Sequence, residues 1–172
     1  MTSAARPDLS SVMTMIDPSW EPSEDGELPP LEAVVGGWFV DRHGDVERFE
    51  PNPAYQPSRP GSPTDPVDAA VGLVVHGKLD AGELVAVMRH AVFAVAVDEN
   101  RDAVVAPAPD GVPSLLVATA PAHQQRVDVA GWIGLTFDHL AAILPAEDVD
   151  VLLNPGAPAS VRVDAGALKQ AR

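Results

Sequence analysis

Prolines at Pro51, Pro53, Pro57, Pro60, Pro63 and Pro66 constrain this chain more than any other feature. Each proline ring fixes φ and removes a backbone donor, so a stretch this dense is neither a helix interior nor a central strand. It is an extended connector with little entropy to lose, lying across a surface or spacing two elements.

Before the connector, Gly36–Val40 and Asp45–Phe49 alternate around Asp41-Arg42-His43-Gly44, which predicts a β-hairpin turning at His43-Gly44. Residues 1–30 are broken by Pro7, Pro18, Pro22, Pro29 and Pro30 and crowded by Glu21, Glu24, Asp25 and Glu27. Too little apolar surface is present there to offset ordering entropy, so a disordered, acidic, proline-rich tail is expected. Leu9, Val12, Met13, Met15, Ile16 and Trp20 are exceptions that suit a short sticky patch.

After the connector, Thr64 or Asp65 caps a helix whose first turn holds Pro66. Val67, Ala70, Val71, Val74 and Val75 form its apolar stripe, and Gly77 stops it. Asp80 with Glu83 reads as a capping box opening a second helix, which buries Leu84, Val87, Met88 and Ala91. Strands are expected over Val92–Val97, Ala103–Ala106, Ser114–Thr119, Val149–Leu153 and Ser160–Val163. Thr136 and Asp164 cap two further helices. Helices and strands mix without strict alternation. The fold class is therefore α/β in the α+β sense: a mixed β-sheet with helices packed on it, behind the disordered N-terminal segment. One domain is expected over residues 31–172, with the hairpin and connector over 31–66 and the core over 67–172.

The 25 acidic and 11 basic side chains leave a formal charge of -14, and the lysines are Lys78 and Lys169 alone. Nucleic-acid and anionic-lipid binding draw on clustered basic side chains, so both are excluded. No apolar run approaches the roughly 20 residues that span a bilayer, so no membrane insertion is expected. The first 18 residues lack the form of a secretory signal. Cysteine is absent, which excludes disulfides, thiolate nucleophiles and cysteine-ligated zinc and favours the cytoplasm.

Reactive patterns are also missing. His43, His76, His90, His123 and His139 form no metal-ligand spacing, and no Gly-x-Ser-x-Gly elbow or P-loop occurs. Asp138 and His139 are helix neighbours about 100° apart, so they do not face each other. Asp98, Glu99 and Asp102 lack EF-hand spacing and read as a solvated turn. No catalytic residue, cofactor or metal is expected. The candidate protein-interaction surface is Trp38, Asn52, Pro53, Tyr55 and Trp132, because aromatics beside rigid prolines are usual interface anchors. The alternative is that these residues fasten the loop to its own domain.

Several stretches carry a resemblance: Ala33–Trp38, Phe49–Ser58, Gly61–Ala70, Ala106–Pro113, Thr119–His123, and Val149–Leu153 running into Asn154-Pro155-Gly156. In this order they resemble the actinobacterial type VII secretion system-associated proteins, and the part from Leu84 onward resembles the SseB-type domain. The match covers about residues 30–163. The resemblance implies an SseB-like α/β domain and a cytoplasmic, non-enzymatic accessory role, with a secretion-system component or substrate as protein partner. It carries over no catalytic residues. A small-molecule-binding or enzymatic α/β domain is the alternative, and self-association through Trp38, Tyr55 and Trp132 is a third reading; the oligomeric state stays open.

Overall fold

The computed structural model describes residues 11–145 and 148–172. It has the expected mixed α+β character, with two sheets and five helices among the described residues. The chain divides into two compact units, one ending at Pro60 and the other running from Gly61 to Arg172. Residues 31–172, expected as one domain, fall in both units. The boundary falls inside the proline-rich connector, whose prolines lack the N–H donors that a central strand or a helix interior needs.

The first unit is a three-stranded antiparallel sheet in the order β1-β2-β3, with β1 at Ser11–Ile16, β2 at Val34–Val40 and β3 at Val46–Pro51. The β2–β3 hairpin turns where the sequence placed it. Asp41 Oδ1 accepts the N–H groups of His43 and Asp45, and Gly44 takes φ 87. Strand β1 corrects the expected tail over residues 1–30. Val12, Met13, Met15 and Ile16, the exceptions in that tail, lie in a strand paired along β2 from Ser11↔Val40 to Ile16↔Val34. Residues 1–10 of the expected tail lie outside the described residues. Two glycines in β2 make room for neighbouring side chains. The Phe49 ring occupies the space over Gly36, and Val12 lies over Gly37, where an added Cβ would sit 2.9 Å from Val12 Cγ1.

The second unit is a six-stranded mixed sheet. Its helices are α1 (Pro66–Val75), α2 (Ala81–Met88), α3 (Pro121–Gln124), α4 (Phe137–Ile143) and α5 (Ala165–Gln170). Its strands are β4 (Val92–Val97), β5 (Val105–Pro107), β6 (Pro113–Ala118), β7 (Gly131–Thr136), β8 (Asp150–Leu153) and β9 (Val161–Val163). They run in the order β7-β4-β6-β8-β9, with β5 also paired to β6. Only β6 and β8 are parallel.

Strand alternation puts Phe93, Val95, Leu115, Val117, Val151 and Leu153 on one face. There they form one core with Val71 of α1, Met88 of α2, Leu140 of α4 and Leu168 of α5. Each such side chain contributes about 1.5–3 kcal/mol on burial. The opposite face carries a smaller cluster of Ala96, Ala108, Leu116 and Leu152, with Val127, Val129 and Trp132 packed against it.

The caps agree with the sequence. Asp65 accepts from the N–H groups of Val67 and Asp68, and Asp80 and Glu83 form a complete capping box. Strand β7 was not foreseen. Gly131 and Gly134 interrupt its alternation, and it is held by six residue pairs with β4.

Candidate functional site

Two polar clusters organise the chain, one in each unit. In the first unit, buried Asp17 follows β1 directly. Its Oδ1 accepts the backbone N–H of Ser19 at 2.9 Å and the Ser19 hydroxyl at 2.5 Å. Its Oδ2 accepts the Tyr55 hydroxyl at 3.1 Å, the Ser58 hydroxyl at 3.0 Å and the Ser58 N–H at 3.3 Å. Burial disfavours the Asp17 carboxylate, but the bonds from Ser19 and Ser58 outweigh it and hold the carboxyl below the usual carboxylate range. Asn52 fastens the same connector further upstream. Its amide donates to the carbonyls of Leu31 and Val34, both at 2.8 Å, and its side-chain oxygen accepts the Ala54 N–H at 3.0 Å. Two acceptors and one donor thus hold the chain at Asn52, directly after β3 ends at Pro51.

In the second unit, the start of α1, the ends of β6 and β8, and α3 converge. Asn154 follows β8 with φ 50, a left-handed backbone that asparagine tolerates better than most residues. Its N–H continues the parallel ladder by donating to Val117 O at 2.8 Å. The backbone then turns away into Pro155-Gly156. The side-chain oxygen takes over the next position of the ladder by accepting the Thr119 N–H at 2.9 Å. The same amide donates to Asp68 Oδ1 at 3.0 Å. His123 Nε2 lies 3.2 Å from Asp68 Oδ1 and 3.0 Å from the Thr64 hydroxyl. The Thr119 hydroxyl lies 2.6 Å from Asp65 Oδ2.

Burial sets the electrostatics of this cluster. Asp65, His123 and Asn154 are 8%, 5% and 0% exposed. Burial raises the Asp65 pKa, the neighbouring Asp68 charge adds to the rise, and bonds from Thr119, the Asp68 N–H and Thr64 only partly oppose it. Asp68 is also penalised by burial, but bonds from His123 and Thr64 hold it below the usual range.

The sequence reading found no concerted group of polar residues, yet here two aspartates, one histidine, two threonines and an asparagine lie within bonding reach. Capping residues and turn residues signalled the segments separately; no local pattern signals that they meet. The arrangement is not a nucleophile relay. In such a relay one ring nitrogen holds the acid and the other the nucleophile. In this cluster His123 turns Nε2 towards both Asp68 and Thr64, while its buried Nδ1 meets no hydrogen-bond partner among the described residues. Among the described residues no group of three or more His, Asp or Glu is placed to hold a metal ion.

The five candidate interface residues do not form one group. Trp38, Asn52, Pro53 and Tyr55 belong to the first unit and Trp132 to the second. Trp38 is half-buried and meets Phe49 edge to face, with ring centroids 5.1 Å apart. Asn52 and Tyr55 are half-buried and bonded as described, and Pro53 is exposed. Trp132 is half-buried against the smaller core cluster. Four of the five therefore fasten their own unit, the alternative the sequence left open.

No family model, no curated protein and no solved structure matches this chain.

Proposed function

We propose that this chain is a non-enzymatic, cytoplasmic accessory protein of a type VII secretion system, and that it works by binding an extended segment of a partner protein along β1. The observation that carries the binding mode is the edge of the first sheet. Strand β1 pairs only with β2 among the described residues. Its sequence Ser-Val-Met-Thr-Met-Ile has no charge and no proline. Val12, Met13 and Ile16 are 50%, 49% and 36% exposed. Edge strands are normally blunted by lysine, proline or bulges; the register of β1 with β2 is regular from Ser11 to Met15 and shifts only at its end, between Met15 and Ile16, so that regular stretch is a template for strand addition. The chain's charge of -14 and the exposed Glu21, Glu24, Asp25 and Glu27 favour a basic segment over a second acidic copy.

The assignment to a secretion system rests on the resemblance. Its stretches supply the framework contacts of both units: Asn52, Tyr55 and Ser58 in the first, and Thr64, Asp65, Asp68, Thr119, His123 and Asn154 in the second. Residues spent on holding a fold suit a protein whose activity lies at a surface.

Lysine-directed crosslinkers reach only Lys78 and Lys169, both in the second unit. The test is therefore a photo-crosslinking amino acid at Met13 in native cells, read by mass spectrometry. Adducts with a secretion component or substrate, lost when Val12 is changed to glutamate, are expected. Adducts with the chain itself, or with no secretion protein, count against the proposal.

A further inference from the structure

Strand β7 is an edge of the second-unit sheet and pairs only with β4 among the described residues. All six of its residues keep one register with β4, from Val97↔Gly131 to Val92↔Thr136, without a bulge. Its sequence Gly-Trp-Ile-Gly-Leu-Thr has no charge and no proline. Backbone N–H and C=O groups of alternate residues therefore point away from β4, and nothing on the strand blunts them. Strand β1 aside, the chain treats its other edges differently. Strand β3 carries Glu50 and Pro51 and a register shift against β2. Strand β9 is three residues long, with Arg162 at its centre.

We propose that β7 is a self-association edge: a second copy of this chain adds its own β7 antiparallel to it, about a two-fold axis at Gly134, and joins two six-stranded sheets into one. The strand is complementary to itself in this register. A two-fold axis perpendicular to the sheet keeps every side chain on its own face. With Gly134 on the axis, Ile133 lies opposite Leu135 of the second copy and Trp132 opposite Thr136, and each pair occurs twice. Leu135 packs against the larger core and Ile133 shares its face by alternation, so two half-buried apolar side chains gain cover. Of the three residues suggested by the sequence for self-association, this edge uses Trp132 alone; Trp38 and Tyr55 belong to the first unit.

Charge favours the same arrangement. Near the Gly131 end of β7, the exposed Asp98, Glu99, Asp102 and Asp128 stand against Arg101. Near the Thr136 end, the exposed Arg89, His90 and His139 stand against Asp138. Antiparallel pairing sets the acidic end of each copy against the Arg89 end of the other, whereas parallel pairing would set acid against acid. The chain's charge of -14 opposes association at long range. Salt screens that repulsion beyond about 8 Å, while paired strands lie about 4.8 Å apart, so the local arrangement decides.

Sedimentation equilibrium of the purified full chain at about 0.15 M salt tests the edge. The mass should rise from 18.0 kDa to twice that value between about 1 µM and 1 mM protein. A Cβ added at Gly134 meets nothing within 4 Å, so Gly134→Lys and Gly134→Asp should keep the parent's circular dichroism. Each sets two like charges together on the axis and should weaken the dimer at least about tenfold. An equal mixture of the two variants should recover it, because lysine then faces aspartate. A parent that stays at single-chain mass at about 1 mM, or a dimer that survives Gly134→Lys, would overturn the proposal. A mixture no stronger than either variant alone would overturn the axis at Gly134. The purified chain holds no secretion partner, so these outcomes are independent of the reading of β1.

Discussion

Asn154 Nδ2 donates to Asp68 Oδ1 at 3.0 Å, joining residues 86 positions apart. That bond fixes the first turn of α1 to the exit of β8. The same side chain also completes the parallel ladder at Thr119. Replacing Asn154 with alanine removes both bonds and places a Cβ residue without a polar side chain at φ 50. A loss of about 2–4 kcal/mol is expected from unpaired buried groups and backbone strain, measured by urea unfolding. Asn154→Asp should be worse than alanine at neutral pH, because it sets a third carboxylate against Asp68, and should recover in mild acid.

Asp17 predicts the acid limb of stability. Its folded-state pKa is depressed, while the unfolded chain titrates near 3.9. The folded form therefore binds fewer protons. Stability from Asp17 is present above about pH 3.9 and is lost as pH falls towards the folded-state value. Asp17→Asn should cost about 1–3 kcal/mol at neutral pH, because an amide donor then faces hydroxyl donors, and should flatten the acid limb. Tyr55→Phe should cost about 1 kcal/mol. Hydrogen exchange of β1 and β2 amides reports both.

Gly36→Ala tests the close approach in the first sheet. An added Cβ meets both the Phe49 ring and the Glu50 carbonyl. Overpacking of this kind costs about 1–3 kcal/mol. Combining it with Phe49→Leu should restore only part of the loss, since the Glu50 backbone stays in place. A double-mutant cycle on first-unit stability measures the difference.

Trp132 separates packing from interface roles. It lies against the cluster of Ala96, Leu116 and Leu152. Trp132→Ala should lower second-unit stability by about 1–3 kcal/mol, less than for a fully buried tryptophan. It should leave photo-crosslinking from Met13 unchanged. Unchanged stability with lost crosslinking would instead restore Trp132 to the interface.

Much of the second unit was legible because its signals are local. The caps at Asp65, Asp80, Thr136 and Asp164 each act within three residues of themselves, so their sequence spacing is their geometry. The run Val92–Val97 buries side chains on both sheet faces, which gives it an unbroken apolar sequence. Strands β1 and β7 lacked such signals. Serine and threonine dilute the apolar character of β1, and Gly131 and Gly134 dilute that of β7; each strand exists because a partner supplies its ladder. Of the candidate interface residues, Tyr55 and Asn52 make long-range bonds within the first unit that no local pattern signals. Their bonds to Asp17 and to the carbonyls of Leu31 and Val34 lie between 18 and 38 residues away.

By itself the sequence determined the mixed class, the starts of α1, α2, α4 and α5, the β2–β3 hairpin and the proline-rich break, because each follows from φ restriction, capping or hydrophobic period over a few residues; α3, which has no side-chain cap, was not foreseen. Only the tertiary structure decided that the break separates two units, that Asp17 gathers Ser19, Tyr55 and Ser58, and that Asp65, Asp68, Thr119, His123 and Asn154 share one buried network. The physical reason is that a buried polar group is satisfied by whatever donor or acceptor the fold brings near it, and that proximity is set by strand order rather than by chain position.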